Sequence, residues 1–302
     1  MTLESGSDGP HLLIIAGIHG DEFEPMLAVR QLFHVFSDSM KLKKGKLTLV
    51  PIVNIPAYKA GSRTAGDGRD LARICPGKVN GSITEQIAFE ISNLIRSVDF
   101  LIDMHTGGSM SEIFPLIGYM LHNDRSVLDR QRAMARAFGL AVTWGTSPLL
   151  EGRTLSVARD AGVPAIYTEY GGGGSCDRDI VKALTEGCIR VMVSLDIISL
   201  PETKVSNNRY IVEDFRENSG HLQIMYPSPA EGVLSALKNI GQTVRKNEII
   251  ATVYNPVTNE KKEILAAENG MIFRIRKRAL VSKNTSIASI LPITQPGKIV
   301  IQ

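Results

Sequence analysis

Apolar residues in the first two-thirds of the chain follow two alternating rhythms. Short runs rich in Ile, Val and Leu at 12–18, 46–53, 100–104, 113–119 and 165–169 read as buried strands. Segments 25–36, 82–97, 124–138, 154–161 and 179–194 carry apolar positions at helical spacing. Thr84 with Glu85 and Gln86, and Asp179 before Val181, supply helix starts, while Gly162-Val163-Pro164 is a stop. Alternation of this kind predicts an α/β fold: a mainly parallel mixed sheet with helices on both faces. Ligands of such sheets gather at the carboxyl ends of the strands.

After Pro201-Glu202-Thr203 the helical period disappears. Short strand patterns at 221–226, 232–235, 243–244, 249–254, 261–265, 270–276 and 286–290 take over. Turn signals separate them at Asn239-Ile240-Gly241, Asn255-Pro256 and Glu268-Asn269-Gly270. The change divides the chain into an α/β part, 1–203, and a β-rich domain, 204–302. Residues 229–233 are loosely echoed at 266–271, the repeat expected of a paired-hairpin barrel of the lipoyl or biotinyl carrier type. No lysine sits at a hairpin tip as a modification site requires, which argues against a carrier role.

Chemistry concentrates at the ends of the predicted strands. His19-Gly20-Asp21-Glu22 follows the first run, and Asp103-Met104-His105 closes another. Two imidazoles and one carboxylate form the ligand set of an open catalytic zinc site. An isolated HxxE is common at a helix start, where acidic residues complement the dipole; the paired signals carry the inference. Asp103, two residues before His105, can orient an imidazole or pair with an arginine. Residues 54–77 form a long loop without periodicity that carries Arg63, Arg69 and Arg73 with Asp67 and Asp70. Long loops in compact α/β folds tend to be functional, and arginine suits fork-like recognition of carboxylates. Asn54 and Asp70 join Arg73 there as candidate substrate contacts. Glu169, at another strand end and backed by Gly171 to Gly174, can shuttle a water proton.

Composition removes several function classes. A net charge of +3 on 34 basic and 31 acidic residues favours neither nucleic acid nor a membrane surface. The cluster Lys41, Lys43, Lys44 and Lys46 lacks interleaved aromatics and reads as a solvated turn. Three cysteines without a CxxC pair fit a reducing cytoplasm, and no apolar run approaches membrane-spanning length.

In order, HGDE at 19–22, NIPAYKAGSR at 54–63, DGRDLARICPG at 67–77, DMHTGG at 103–108 and TEYGGGG at 168–174 resemble the succinylglutamate desuccinylase/aspartoacylase family of the zinc carboxypeptidase superfamily. The resemblance spans about residues 10–200. It implies a zinc carboxypeptidase-like fold and one Zn²⁺ per chain held by His19, Glu22 and His105. Glu169 is then the general base and acid, Arg63 polarises the scissile carbonyl or holds the oxyanion, and Arg73 binds the substrate carboxylate. The implied activity is hydrolysis of a small N-acyl amino acid, with a homo-oligomer allowed. Two departures stand out. Ala72 replaces the family's usual Asn, and the customary amino-terminal hairpin is expected to be shortened or absent. Ala72 and the β-rich tail look similar to the subgroup that includes N-acetyl-diaminobutyrate deacetylases of ectoine breakdown. A metallocarboxypeptidase acting on peptides and a non-catalytic binding protein are the competing readings.

Overall fold

The structure is a computed structural model that describes residues 1–38, 41–201, 210–215, 219, 226–291 and 297–301. In chain order it contains β1 (Thr2–Glu4), β2 (His11–Ala16), α1 (Phe23–Asp38), β3 (Lys46–Val50), α2 (Ile55–Ala60), a 3-10 turn (Leu71–Arg73), α3 (Ile83–Arg96) and β4 (Phe100–His105). Next come β5 (Ser111–Met120), α4 (Arg125–Phe138), β6 (Val142–Thr146), α5 (Thr154–Asp160), β7 (Ala165–Gly172) and α6 (Arg178–Ser194). The remainder is β8 (Tyr210–Asp214), β9 (Gly232–Ala236), β10 (Thr243–Val244), β11 (Ile249–Asn255), β12 (Glu260–Leu265), β13 (Gly270–Arg276), β14 (Leu280–Val281), β15 (Ala288–Leu291) and β16 (Gly297–Ile301).

Local chemistry explains the helix ends. Ser82 caps α3 in a capping box with Glu85, two residues before the Thr84 start expected from sequence. Asp177, rather than Asp179, caps α6. Asp124 opens α4, and Gly139 closes it in the left-handed conformation.

The main sheet runs β1-β3-β2-β4-β7-β5-β6-β8-β16. Its centre, β3-β2-β4-β7, is parallel, and β5 enters antiparallel to β7. Alternate residues of β2 divide between two cores. Leu12 and Ile14 pack with Val29 and Leu32 of α1, Phe138 of α4 and Leu184 of α6. Leu13 and Ile15 pack with Ile91 and Ile95 of α3 and Val157 of α5 on the other face. The chain leaves β2 for β3 on one side and later returns to β4 on the other. That reversal opens a crevice at the carboxyl ends of β2 and β4, the position where α/β sheets bind ligands.

Several elements differ from the sequence expectation. The loop at 54–77 contains α2 and the 3-10 turn, both too short to show a period. Strands β1, β6, β8, β14 and β16 were missed; β1 pairs antiparallel with β3, and β6 joins the sheet interior between β5 and β8. The expected strand at 221–226 lies largely outside the described residues, as does the division at 203/204.

At the C-terminal end the described β-strands divide between two sheets. β9, β11, β12 and β14 make a four-stranded sheet, whereas β10, β13 and β15 join the main sheet through pairing of β13 with β5. The two sheets bury a shared core of Leu234, Ile250 and Val253 with Ile272, Ile275 and Ile287. Period-two alternation specifies which face a strand buries, not which strand it pairs with, so the pairing of β13 with β5 could not be read from the sequence.

Candidate active site

β2 ends at Ala16, and a tight turn carries His19 and Glu22 to the start of α1. The turn can form because Gly20 lies against α2: a β-carbon there would stand 2.0 Å from the Ala57 carbonyl carbon. His105 is the last residue of β4, and Glu169 lies directly across from it on β7. Sequence-remote groups therefore meet at adjacent strand ends.

His19 Nδ1 is 2.8 Å from Glu22 Oε1, and His105 Nδ1 is 2.9 Å from Glu22 Oε2. One donor atom from each residue falls within 4.8 Å of the others, and all three side chains are buried. The imidazole rings lie 5.2 Å apart, tilted by 51°. Burial alone would push the Glu22 carboxyl up, but the two imidazoles overcome it and hold the group far below the usual carboxylate range. Burial opposes charge on His105 too, and there the fields of Asp103 and Glu22 prevail, raising its proton affinity well above normal.

Each imidazole rests its other nitrogen on a carboxylate. His19 Nε2 is 3.1 Å from Asp70 Oδ1, and His105 Nε2 is 3.1 Å from Asp103 Oδ1. The second is a charge contact rather than an aligned hydrogen bond. Thr154 donates its hydroxyl to the other Asp103 oxygen. Carboxylates behind imidazoles fix ring orientation and strengthen the facing nitrogen as a ligand. With two imidazole nitrogens and a carboxylate turned to one point, the donor set fits a divalent metal such as zinc.

Asp70, expected from the sequence as a substrate contact, is engaged by groups of the protein itself. It accepts from Ala72 N at 3.0 Å, capping the 3-10 turn, and from Arg63 Nε at 3.1 Å. Burial works against its charge, yet the His19 hydrogen bond and the Arg63 guanidinium pull its carboxyl far below the ordinary range. Arg63 is thereby tied beside the cluster, with Nη1 3.4 Å from His19 Nδ1. Asn54 is a correction. It is fully buried, takes Ala57 N at 3.2 Å as the cap of α2, and donates to the Ile18 carbonyl at 3.4 Å. Its amide positions the HGDE turn and is absent from the cavity wall.

A cavity of about 330 Å³ opens onto His19 and His105, with Glu169, Arg63 and Arg73 in its wall. Burial raises the Glu169 carboxyl to about 7, and Glu22 adds to the rise while His105 and Arg63 oppose it. Its Oε2 is buried without a hydrogen-bond partner, as are Asp21 Oδ1 and Arg153 Nη2, all on cavity-lining residues. Unsatisfied buried polar atoms are rare and tend to mark places that bind something.

Sequence reasoning missed Arg153. It reaches the cavity because Gly152, at φ +76°, lets its strand of chain press on the Arg73 backbone; a β-carbon there would be 2.3 Å from Arg73 O. Burial and the neighbouring Arg153 charge lower the proton affinity of Arg73. The glycine-arginine pair before a predicted helix was the available signal. Arg274 and Arg276 of β13 also line the cavity, and nothing local in the sequence marks them.

A model of the succinylglutamate desuccinylase/aspartoacylase catalytic domain matches residues 8–195. An N-alpha-acetyl-L-2,4-diaminobutyric acid deacetylase from Halomonas elongata is 28% identical over 98% of this chain and 86% of its own length. The product-bound ectoine utilization protein EutE (DoeB) of Ruegeria pomeroyi superposes with a TM-score of 0.83 at 24% identity, covering 96% of this chain and 87% of that one. A succinylglutamate desuccinylase/aspartoacylase from Rhodobacter sphaeroides gives 0.82 at 23% identity, with coverage of 94% and 86%. The structural likenesses establish the fold.

Proposed function

Because the chain belongs to the succinylglutamate desuccinylase/aspartoacylase family, we propose that it hydrolyses the amide bond of a small N-acyl amino acid, using one Zn²⁺ held by His19, Glu22 and His105. The observation that carries the reading is the convergence of those three donors within 4.8 Å at the floor of a cavity that Glu169 also lines. The similarity to a diaminobutyric acid deacetylase favours an acetyl group on the acyl side. Ala72 at the end of the Asp70–Ala72 contact offers no side-chain donor to the substrate.

The residues divide the work. Arg73 and Arg153 hold the substrate carboxylate, which fixes the amide over the cluster. Glu169, with its raised proton affinity, takes a proton from the attacking water. Hydroxide adds to the acyl carbon, and Arg63 faces the negative charge that grows on the carbonyl oxygen. Glu169 then returns the proton to the departing amine as the carbon–nitrogen bond breaks. When bound, the metal supplies Lewis-acid polarisation and makes water easier to deprotonate.

Residues 1–203 act in this reading as the catalytic unit, and 204–302 as a β-rich unit joined to it through β8 and β13. No helix among the described residues is long and apolar enough to cross a membrane. With three free cysteines, this supports a cytoplasmic location. The test is a hydrolysis screen of N-acetyl and N-succinyl amino acids beside dipeptides, with and without a chelator. Chelator-sensitive release of free amino acid is the expected result. Turnover of dipeptides alone, or turnover indifferent to metal removal, overturns the proposal.

A further inference from the structure

We propose that the end of the cavity beside Arg153 is an apolar recess, walled by Met120, Leu155 and Tyr167, that receives a hydrocarbon side chain on the substrate's amino acid. The inference rests on the hydrolase reading for the identity of the substrate, but not for the existence of the recess.

Three elements bring the wall together. Met120 is the last residue of β5, Leu155 the second of α5, and Tyr167 lies within β7. Met120, Leu150 and Leu155 form a small buried cluster apart from the cores on the two faces of the main sheet, and Tyr167 packs against it. Met120, Leu155 and Tyr167 also line the cavity, so this cluster has one side turned to it. The Tyr167 ring can lie there because its partner across the β5–β7 ladder is Gly118, where a β-carbon would stand 2.3 Å from the ring. Burial, reinforced by the Glu169 charge, raises the proton affinity of the phenol, and a hydrogen bond with Thr146 offsets only part of the rise. The ring therefore adds no charge to the recess at neutral pH.

Chain geometry indicates which part of a substrate meets this wall. Residues two apart on a strand project from the same face, so Tyr167 and Glu169 look into the cavity together. Leu155 follows Arg153 by two residues at the start of α5, and both line the cavity. Arg153 Nη2 is buried without a hydrogen-bond partner, in keeping with the carboxylate role assigned to it above. In an amino acid the carboxylate and the side chain branch from one carbon. A carboxylate held by Arg153 therefore sets the side chain within a few bonds of the guanidinium, and Leu155 with Met120 and Tyr167 supplies the surface there. Ala72, next to Arg73, adds a methyl group to the cavity wall. A polar side chain set against such groups loses its hydration, whereas a hydrocarbon chain gains by leaving water.

A homologous series tests the recess. On the metal-loaded protein, kcat and KM are measured for the N-acetyl derivatives of L-alanine, L-2-aminobutyrate, L-norvaline and L-norleucine. In parallel, calorimetry compares binding of free L-norleucine with free L-alanine. Each methylene that enters the recess should raise kcat/KM by about four- to tenfold until the recess is full. Free norleucine should likewise bind more tightly than alanine. Leu155→Asn should flatten the series, which general damage to the fold does not mimic because it lowers every rate alike. A flat or falling series in the wild-type protein overturns the proposal, as does a Leu155→Asn variant that keeps the full rise. If Leu155→Asn does not fold, Leu155→Phe decides: a narrower recess should move the best substrate to a shorter side chain, and an unmoved optimum overturns the assignment. Hydrolysis with a flat series removes the recess and leaves the hydrolase reading standing. Tighter norleucine binding without hydrolysis of any N-acyl amino acid removes the hydrolase reading and leaves the recess standing.

Discussion

His105 and Glu169 face each other across the parallel ladder of β4 and β7, paired in register at adjacent strand ends. One belongs to the donor cluster, and the other is a carboxyl whose proton affinity is raised to about 7 by burial, which also leaves its Oε2 without a partner. In the proposed mechanism this geometry separates holding a metal from moving a proton. Glu169→Gln should retain one metal per chain and lose turnover by about 10²- to 10⁴-fold, the usual worth of general acid–base catalysis. Metal analysis beside initial rates checks this. Near-normal turnover in the variant removes Glu169 from the chemistry.

The carboxylates behind the imidazoles carry a separate prediction. Asp70 backs His19, and Asp103 backs His105, each at 3.1 Å. Asp70→Asn and Asp103→Asn should each weaken zinc binding by about 10- to 100-fold, the typical cost of losing such a partner. Competition titration with a chromophoric chelator reads the affinity directly. Asp70→Asn should also loosen Arg63, which Asp70 holds at 3.0 Å, so its kcat should fall even at saturating metal. An Asp103→Asn protein with unaltered affinity would show that the contact on His105 is incidental.

What could be read from the chain follows a physical divide. His19, Glu22, His105 and Glu169 were legible because each sits beside an apolar run, and a buried strand projects its terminal residues to one edge of the sheet. Asn54 was misjudged because the same amide serves equally well as a helix cap, and its burial is a tertiary fact. Asp70 was placed in the right region with a different task, since its distance to His19 depends on how the loop folds back. Arg153 and Arg274 were invisible for a related reason. One arrives through the close approach of Gly152 to Arg73, the other through pairing of β13 with β5, and neither contact leaves a local periodic trace.

The turn that presents the cluster is itself exposed to a simple test. Gly20 N donates to Ser62 O at 3.1 Å, and a β-carbon on Gly20 would stand 2.1 Å from Ala57 O and 2.3 Å from Tyr58 N. All of those neighbours are backbone, so no flexible side chain can move aside. Gly20→Ala should therefore destabilise the fold by about 1–3 kcal/mol or more and displace His19 from Glu22. Chemical denaturation and metal stoichiometry measure the two effects. A variant with wild-type midpoint and full metal content would mean that the loop and α2 can separate freely.

Asp67 makes the acid behaviour of the substrate loop predictable. Its Oδ1 accepts from the Thr84 hydroxyl at 2.7 Å and its Oδ2 from Thr84 N at 3.1 Å, tying the loop to the first turn of α3. Burial pushes its carboxyl up, but the hydrogen bonds from Thr84 and Ser82 together win and bring it down to about 2. A carboxyl lowered on folding adds stability that is fully present above its unfolded value and is lost as pH falls through the folded one. The window is therefore about pH 4 down to about pH 2. Asp67 is exposed, so solvent screening keeps its share small. Asp67→Asn should lower the urea midpoint at neutral pH, and the gap between variant and wild type should close across that window. Midpoints measured from pH 7 to pH 2 on metal-free protein decide the matter; a gap that stays constant through the window would mean that the charge on Asp67 contributes nothing and that only its shape matters.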